Sequence, residues 1–187
     1  MLVESTSEGS PIAALRGASS AEIQRLMAKV AEDFARADVR VGGVIEIAEP
    51  AATGVCGRLT LRDLSTGALI PISQDLGPGS QACNLDGRGV VAACAAVEDA
   101  VARGVDLLVL SKFGKLEAAR GGLYDAFRAA FASDTPVLTA VSPAMSDAWA
   151  AFAGSLSHYL PPEREAVESW WQRRVARAWA TAAESRA

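Results

Sequence analysis

The chain contains one histidine, His158, in 187 residues. A serine or cysteine nucleophile of the hydrolase type needs a histidine base beside it, so a lone histidine far along the chain argues against such an enzyme. Cysteine is scarce too: three residues, an odd number, with no C-x-x-C pair. A closed zinc site needs four ligands, which this supply does not meet in the usual spacing. The N-terminus lacks the basic start and apolar core of an export signal, so the thiols read as reduced and the protein as cytoplasmic. No apolar run approaches the ~20 residues of a membrane span. Lys and Arg number 18 against 22 Asp and Glu, a net charge of −4. Phosphate-backbone binding needs clustered cations, so no nucleic-acid partner is expected. Two nucleotide signatures are missing as well. There is no G-x-x-x-x-G-K-[ST] loop, and a lone Gly17 after the first apolar run makes no dinucleotide fingerprint.

What is present is ordinary globular composition, 50% hydrophobic and 21% charged. A chain of this size buries roughly 70% of its unfolded surface and needs no disulfide or metal to fold. Residues 1–10 are polar and acidic and are expected to be disordered. Residues 11–162 alternate between strand and helix patterns, and residues 163–187 form an amphipathic helix. Ile12 to Leu15 is a buried strand. A helix follows from about Ala21, capped by Ser20, with Ile23, Leu26, Met27, Val30 and Phe34 at helical spacing. Val41 to Ile47 is the next strand, entered through Gly42-Gly43. Leu59 to Arg62 and Leu69 to Ile72 read as a hairpin joined through Asp63 to Gly67. The second half predicts a helix over 89–103, a strand over 106–110, a helix over 116–132 and a strand over 136–141. Ser142-Pro143 opens a helix carrying Trp149 and Phe152, and 156–160 is a last short strand. This rhythm predicts an α/β fold: a mostly parallel sheet flanked by helices, with a β-hairpin insert and a C-terminal helix.

Ligands on such sheets bind outside the carboxyl ends of the strands. The loop Arg16, Gly17, Ser19, Ser20 lies there, and so do the loop Ser111, Lys112, Lys115, Glu117 and the turn Val141-Ser142. Lys112 and Lys115 are candidate anion ligands, helped by a helix N-terminus, or solvated surface lysines. Ser19 and Ser20 either contact an oxyanion or cap the helix. Glu117 is a candidate general base or metal ligand, or a partner of Lys115 or Arg120. Asp75 to Ser80, with glycines around Pro78, is either a backbone nest for an anion or a tight turn. Cys56 and Cys83 flank the insert and are candidates for a soft metal or redox chemistry, or are simply buried thiols. Cys94 belongs to an alanine-rich helix and to the core.

Several stretches carry a resemblance. Ser73 to Ser80, Cys83-Asn84-Leu85-Asp86, Leu110 to Glu117, Pro136 to Val141 and Trp149 to Gly154 resemble an uncharacterised bacterial family, domain of unknown function 2478. That family is grouped with the P-loop nucleoside triphosphatases, and its genes often lie near molybdate-transport genes. A more distant similarity is to small archaeal-type nucleoside triphosphatases. Gly42-Gly43, Gly114 and Glu117 match their pattern. Ser111-Lys112 stands where they have an acidic pair, and their phosphate loop has no counterpart in Arg16 to Ser20. The resemblance implies a nucleotidase-like scaffold with a degenerate phosphate motif and names no cofactor.

Three functions fit. The first is a non-hydrolysing or weakly active ligand-binding or regulatory protein whose small anionic ligand is a nucleotide or an oxyanion such as molybdate. The second is an atypical nucleoside triphosphatase, so enzymatic activity stays open. The third is an assembly factor working through the C-terminal helix, where Val167, Trp170, Trp171, Val175 and Trp179 form an apolar stripe. That helix is expected either to fold back on its own domain or to make a homodimer.

Overall fold

The computed structural model describes residues 10–48, 59–73 and 85–184. The chain opens with β1 (Ile12–Leu15) and α1 (Ser20–Arg36). β2 (Val41–Ala48), β3 (Leu59–Asp63), β4 (Leu69–Pro71) and α2 (Gly87–Ala102) follow. Next come β5 (Leu107–Leu110), α3 (Lys115–Ala118), α4 (Tyr124–Ala132) and β6 (Val137–Ala140). α5 (Ser146–Ala153), β7 (Ser157–Leu160) and α6 (Arg164–Glu184) complete it.

The seven strands form one sheet in the order β4-β3-β2-β5-β6-β1-β7. β2, β5, β6, β1 and β7 run parallel, and β3 and β4 add antiparallel at the β2 side. Alternate residues of each strand serve opposite layers. Ile12, Ala14, Val44, Leu108 and Leu110 face α2, α4 and α5. Ala13, Leu15, Ile45, Leu107 and Val109 face α1 and α6. Both faces are therefore dry, which is why these strands read as unbroken apolar runs.

Glycine is required at β2. Gly43 has φ +105°, and a Cβ there would lie 2.1 Å from the Val109 carbonyl oxygen of β5. No side chain fits between these two strands at that rung. On the α4–α5 side, Phe113, Phe127, Trp149 and Phe152 pack edge-on, stacked or tilted with ring centroids 5.1–6.2 Å apart.

Three boundaries differ from the sequence expectation. The α1 cap is Ser19, not Ser20: Ser19 Oγ accepts from the Glu22 amide and Glu22 answers on the Ser19 amide, a reciprocal capping box. The helix expected over 116–132 is two helices. The chain breaks at Arg120 and Gly122, both with positive φ (61° and 57°), so Leu123 caps α4 instead of continuing a long stripe. Ser142-Pro143 opens a single 3-10 turn before α5 begins at Ser146.

The C-terminal helix folds back on its own domain. Val167 and Trp170 are buried against α1 and the sheet. The Trp170 indole N–H donates to the Ser10 carbonyl at 3.1 Å, so Ser10 is held although it was grouped with the disordered start. Residues 1–9 lie outside the described residues. Trp171 packs on Phe34 of α1 at 5.5 Å. Arg164 ties the helix start to Asp33 of α1 and to Glu168.

One measurement checks this docking and a second checks the fold's acid sensitivity. Trp170→Ala is expected to lower unfolding free energy by about 3–5 kcal/mol, the range for a buried tryptophan, and Trp171→Ala by less, both in urea titrations. The second is acid sensitivity. Hydrogen bonding to Lys29, with the charges of Lys29 and Arg164, holds the Asp33 carboxyl below the usual 3.8. Arg40 does the same for Asp106. The folded state thus keeps both ionised to lower pH than the unfolded chain does. Their stabilisation is present above the unfolded pKa and is lost as pH falls below about 4. Asp33→Asn and Asp106→Asn are each expected to flatten the acid limb of the stability–pH curve.

Candidate functional site

The carboxyl ends of the parallel strands are knitted by backbone bonds across their loops. The Arg16 amide donates to Leu160 (3.2 Å), the Val141 amide to Leu15 (3.0 Å) and the Phe113 amide to Ala140 (2.8 Å). Between β2 and β5 the strand ladder ends at Val44 and Leu110. Beyond it a side chain takes over. Gln24 of α1 is 5% exposed; its amide nitrogen donates to the Ser111 carbonyl, and its amide oxygen accepts from the Glu46 N–H at 3.1 Å. One carboxamide thus replaces a missing backbone rung and leaves neither group unpaired.

That clamp sets the neighbouring charges. Lys112, just after β5, pairs with Glu46 of β2 at 2.6 Å. Glu117 is 7% exposed and bonds neither Lys115 nor Arg120. Its two carboxylate oxygens accept from the backbone amides of Gly114 and Leu123, both at 2.9 Å. Gly122 makes room for it, since a Cβ there would lie 2.3 Å from the Glu117 carboxylate. Held by two amides, the carboxylate acts as a clamp for the α3–α4 turn.

The candidate residues separate into two places. Ser111, Lys112, Lys115 and Glu117 line one cavity of about 170 Å³ with Glu46 and apolar side chains such as Leu61 and Val90. Arg16, Gly17, Ser19 and Ser20 do not line it; they sit exposed at the β1–α1 connection. There Ser19 and Glu22 close on each other, and the hydrogen bond from Ser19 pulls the Glu22 carboxyl below its usual range. Arg16 lies over the Tyr159 ring, with its guanidinium carbon 3.9 Å from the ring centre, and donates to Ser146 Oγ at 3.5 Å. Asp75, Ser80, Cys56 and Cys83 lie outside the described residues. Among the described residues no three His, Cys, Asp or Glu side chains gather as a metal would need. Cys94 is half-buried, and burial raises its thiol pKa.

Gln24, Glu46 and Tyr159 were not singled out from sequence. Gln24 carried one signal: a polar residue on the face that also presents Met27 and Ala31. Glu46 carried another, an acid between Ile45 and Ile47 in a buried strand.

These features define an α/β protein with a mostly parallel, doubly covered sheet whose candidate residues gather at the strand carboxyl ends. Residues 12–170 match the family described as "Protein of unknown function (DUF2478)", and the chain belongs to that family. The chain is also similar to part of Molybdenum import ATP-binding protein ModC 2 of Bradyrhizobium diazoefficiens, 40% identical over 151 residues. The match takes in 81% of this chain and 17% of that relative, so it spans less than a fifth of the relative's length. No solved structure matches. No helix among the described residues is long and apolar enough to cross a membrane.

The clamp can be tested by substitution. Gln24→Leu strands a buried N–H and a buried C=O and is expected to cost about 2–4 kcal/mol in denaturant melts. Gly122→Ala combines a positive φ with a clash on Glu117. It is expected to cost about 2 kcal/mol or more, and to raise amide exchange at Gly114 and Leu123.

Proposed function

We propose that the protein is a non-hydrolysing ligand-binding or regulatory protein on a nucleotidase-like scaffold, working in the cytoplasm. Its ligand is a small anion, an oxyanion such as molybdate or a nucleotide. The observation that carries this reading is the self-closed N-terminus of α1. A phosphate-binding loop must present free backbone N–H groups and a lysine to the phosphates. Here only residues 16–19 separate β1 from α1, and the Glu22 carboxylate accepts from both the Ser19 amide and the Ser19 hydroxyl. An internal anion thus stands where a phosphate would be cradled.

The β5 loop supports the same conclusion. Lys112 is paired with Glu46 and Glu117 is held by two amides, so these two charged groups already have partners within the chain. Molybdenum enters through the relative's name, and so does the nucleotide alternative, because that relative is called ATP-binding. An assembly role through α6 gains less support, since Trp170 and Trp171 pack on the helix's own domain.

With magnesium and ATP or GTP, purified protein is expected to release phosphate no faster than buffer. Turnover near about 1 s⁻¹ that Lys112→Ala abolishes would overturn the non-hydrolysing reading. A ligand at 100 times its Kd adds about 2.7 kcal/mol. For a domain of this size that is a rise in Tm of roughly 5–10 °C. Such a rise is expected from at least one of molybdate, tungstate, phosphate, ATP and GTP.

A further inference from the structure

We propose that a tetrahedral oxyanion, free or as the end of a nucleotide's phosphate chain, binds on the α5 face where β6, β1 and β7 end. Arg16, Tyr159 and Thr139 are its ligands. The proposal rests on the reading that the protein binds a small anion, and adds where and through which groups.

The topology makes this edge a switch point. The connection leaving β1 crosses on the α1 face toward β2, and the connection leaving the adjacent β6 crosses on the opposite face through α5 toward β7. Loops diverging from adjacent parallel strands open a crevice at their carboxyl ends. Arg16 is the first residue after β1. Its guanidinium rests on the Tyr159 ring, which holds the side chain in place while leaving N–H edges for a bidentate oxyanion contact. Among the described residues it pairs with no carboxylate, in contrast to Lys112 on the β5 loop, which Glu46 neutralises.

The second observation is independent of charge. Thr139 of β6 and Tyr159 of β7 are both level with Ala14 of β1, one on either side of it. Ala14 faces the α5 layer, so all three side chains lie on that face. Thr139 is fully buried, and neither its Oγ1 nor the buried Tyr159 Oη has a hydrogen-bond partner. Buried hydroxyls are nearly always satisfied, and two unsatisfied ones on a single row point to a partner supplied from outside the chain. Ala14 lies between them in the row. The backbones of β6 and β7 are two strand spacings apart, roughly 10 Å, and both side chains lie on the face that α5 covers. Arg16 lies two residues beyond Ala14, on the same face, and supplies the compensating charge.

The test uses the full chain and three variants: Arg16→Ala, Arg16→Lys and Thr139→Val. Each is titrated with sodium molybdate, sodium phosphate and ATP by calorimetry and by melting. Arg16→Ala is expected to weaken anion binding at least about tenfold. Arg16→Lys is expected to recover only part of the loss, because an ammonium has no fork. Thr139→Val carries the sharpest expectation, because its two effects have opposite signs. Removing an unsatisfied buried hydroxyl raises the ligand-free Tm by roughly 3 °C or more. Removing a ligand contact weakens anion binding several-fold. A merely structural threonine would not separate the two. Molybdate or phosphate binding without ATP binding assigns a free oxyanion; ATP binding alone assigns a nucleotide's terminal phosphate. If wild type binds an anion and all three variants bind it equally well, this site is wrong while the binding function stands. If wild type binds none of the three, the binding reading fails and this site with it.

Discussion

The length of the connection between β1 and α1 constrains everything at the carboxyl edge. Four residues (16–19) bring the chain from β1 to the helix start, and they carry no G-x-x-x-x-G-K-[ST] pattern. The helix still presents free amides there, and they need acceptors. Glu22 supplies one by reaching back to Ser19. With that anion built in, α1 places its side chains for structure. Gln24 enters the gap between β2 and β5, and Phe34 receives Trp171 from the C-terminal helix. The binding options then move outward, to Arg16 and to the β5 loop.

Much of the fold was legible because its sheet is buried on both faces. Ile12 to Leu15, Leu107 to Leu110 and Val137 to Ala140 read as short apolar runs between helix-spaced segments. The hairpin of β3 and β4 read from alternation and from Asp63 to Gly67. Errors came where one residue decides. Ser19 and Ser20 can both cap a helix, but only Ser19 has a glutamate three residues on, and that S-x-x-E spacing is the signal for the capping box it makes with Glu22. The helix over 116–132 looked continuous because its apolar spacing survives the break. The Arg120-Gly121-Gly122 turn is a local signal that the apolar periodicity outweighed.

The candidate site was half legible. Position at the strand ends selected Arg16, Lys112 and Glu117 correctly as edge residues, but not what each does there. A charge acquires its role from its partner, and the partners are far in sequence: Glu46 for Lys112, Tyr159 and Ser146 for Arg16. Glu117 shows the opposite limit. Its partners are the amides of Gly114 and Leu123, three and six residues away, yet backbone acceptor demand leaves no mark in the sequence.

Two of the basic groups at this edge, Lys112 and Arg16, illustrate why an ion pair and a guanidinium on a ring face are different instruments. Lys112 and Glu46 present a compensated dipole to a cavity lined mainly by apolar side chains. An incoming anion would have to compete with Glu46 for the ammonium, and the carboxylate it displaced would remain nearby and repel it. Arg16 has no such competitor among the described residues. Its contact with Tyr159 is to a ring face, which offers attraction without a full negative charge. An anion can therefore engage the guanidinium edge without expelling another anion. Of these two cations, Lys112 is paired with a carboxylate and Arg16 rests on a ring face, and the difference lies in what packs beneath each side chain.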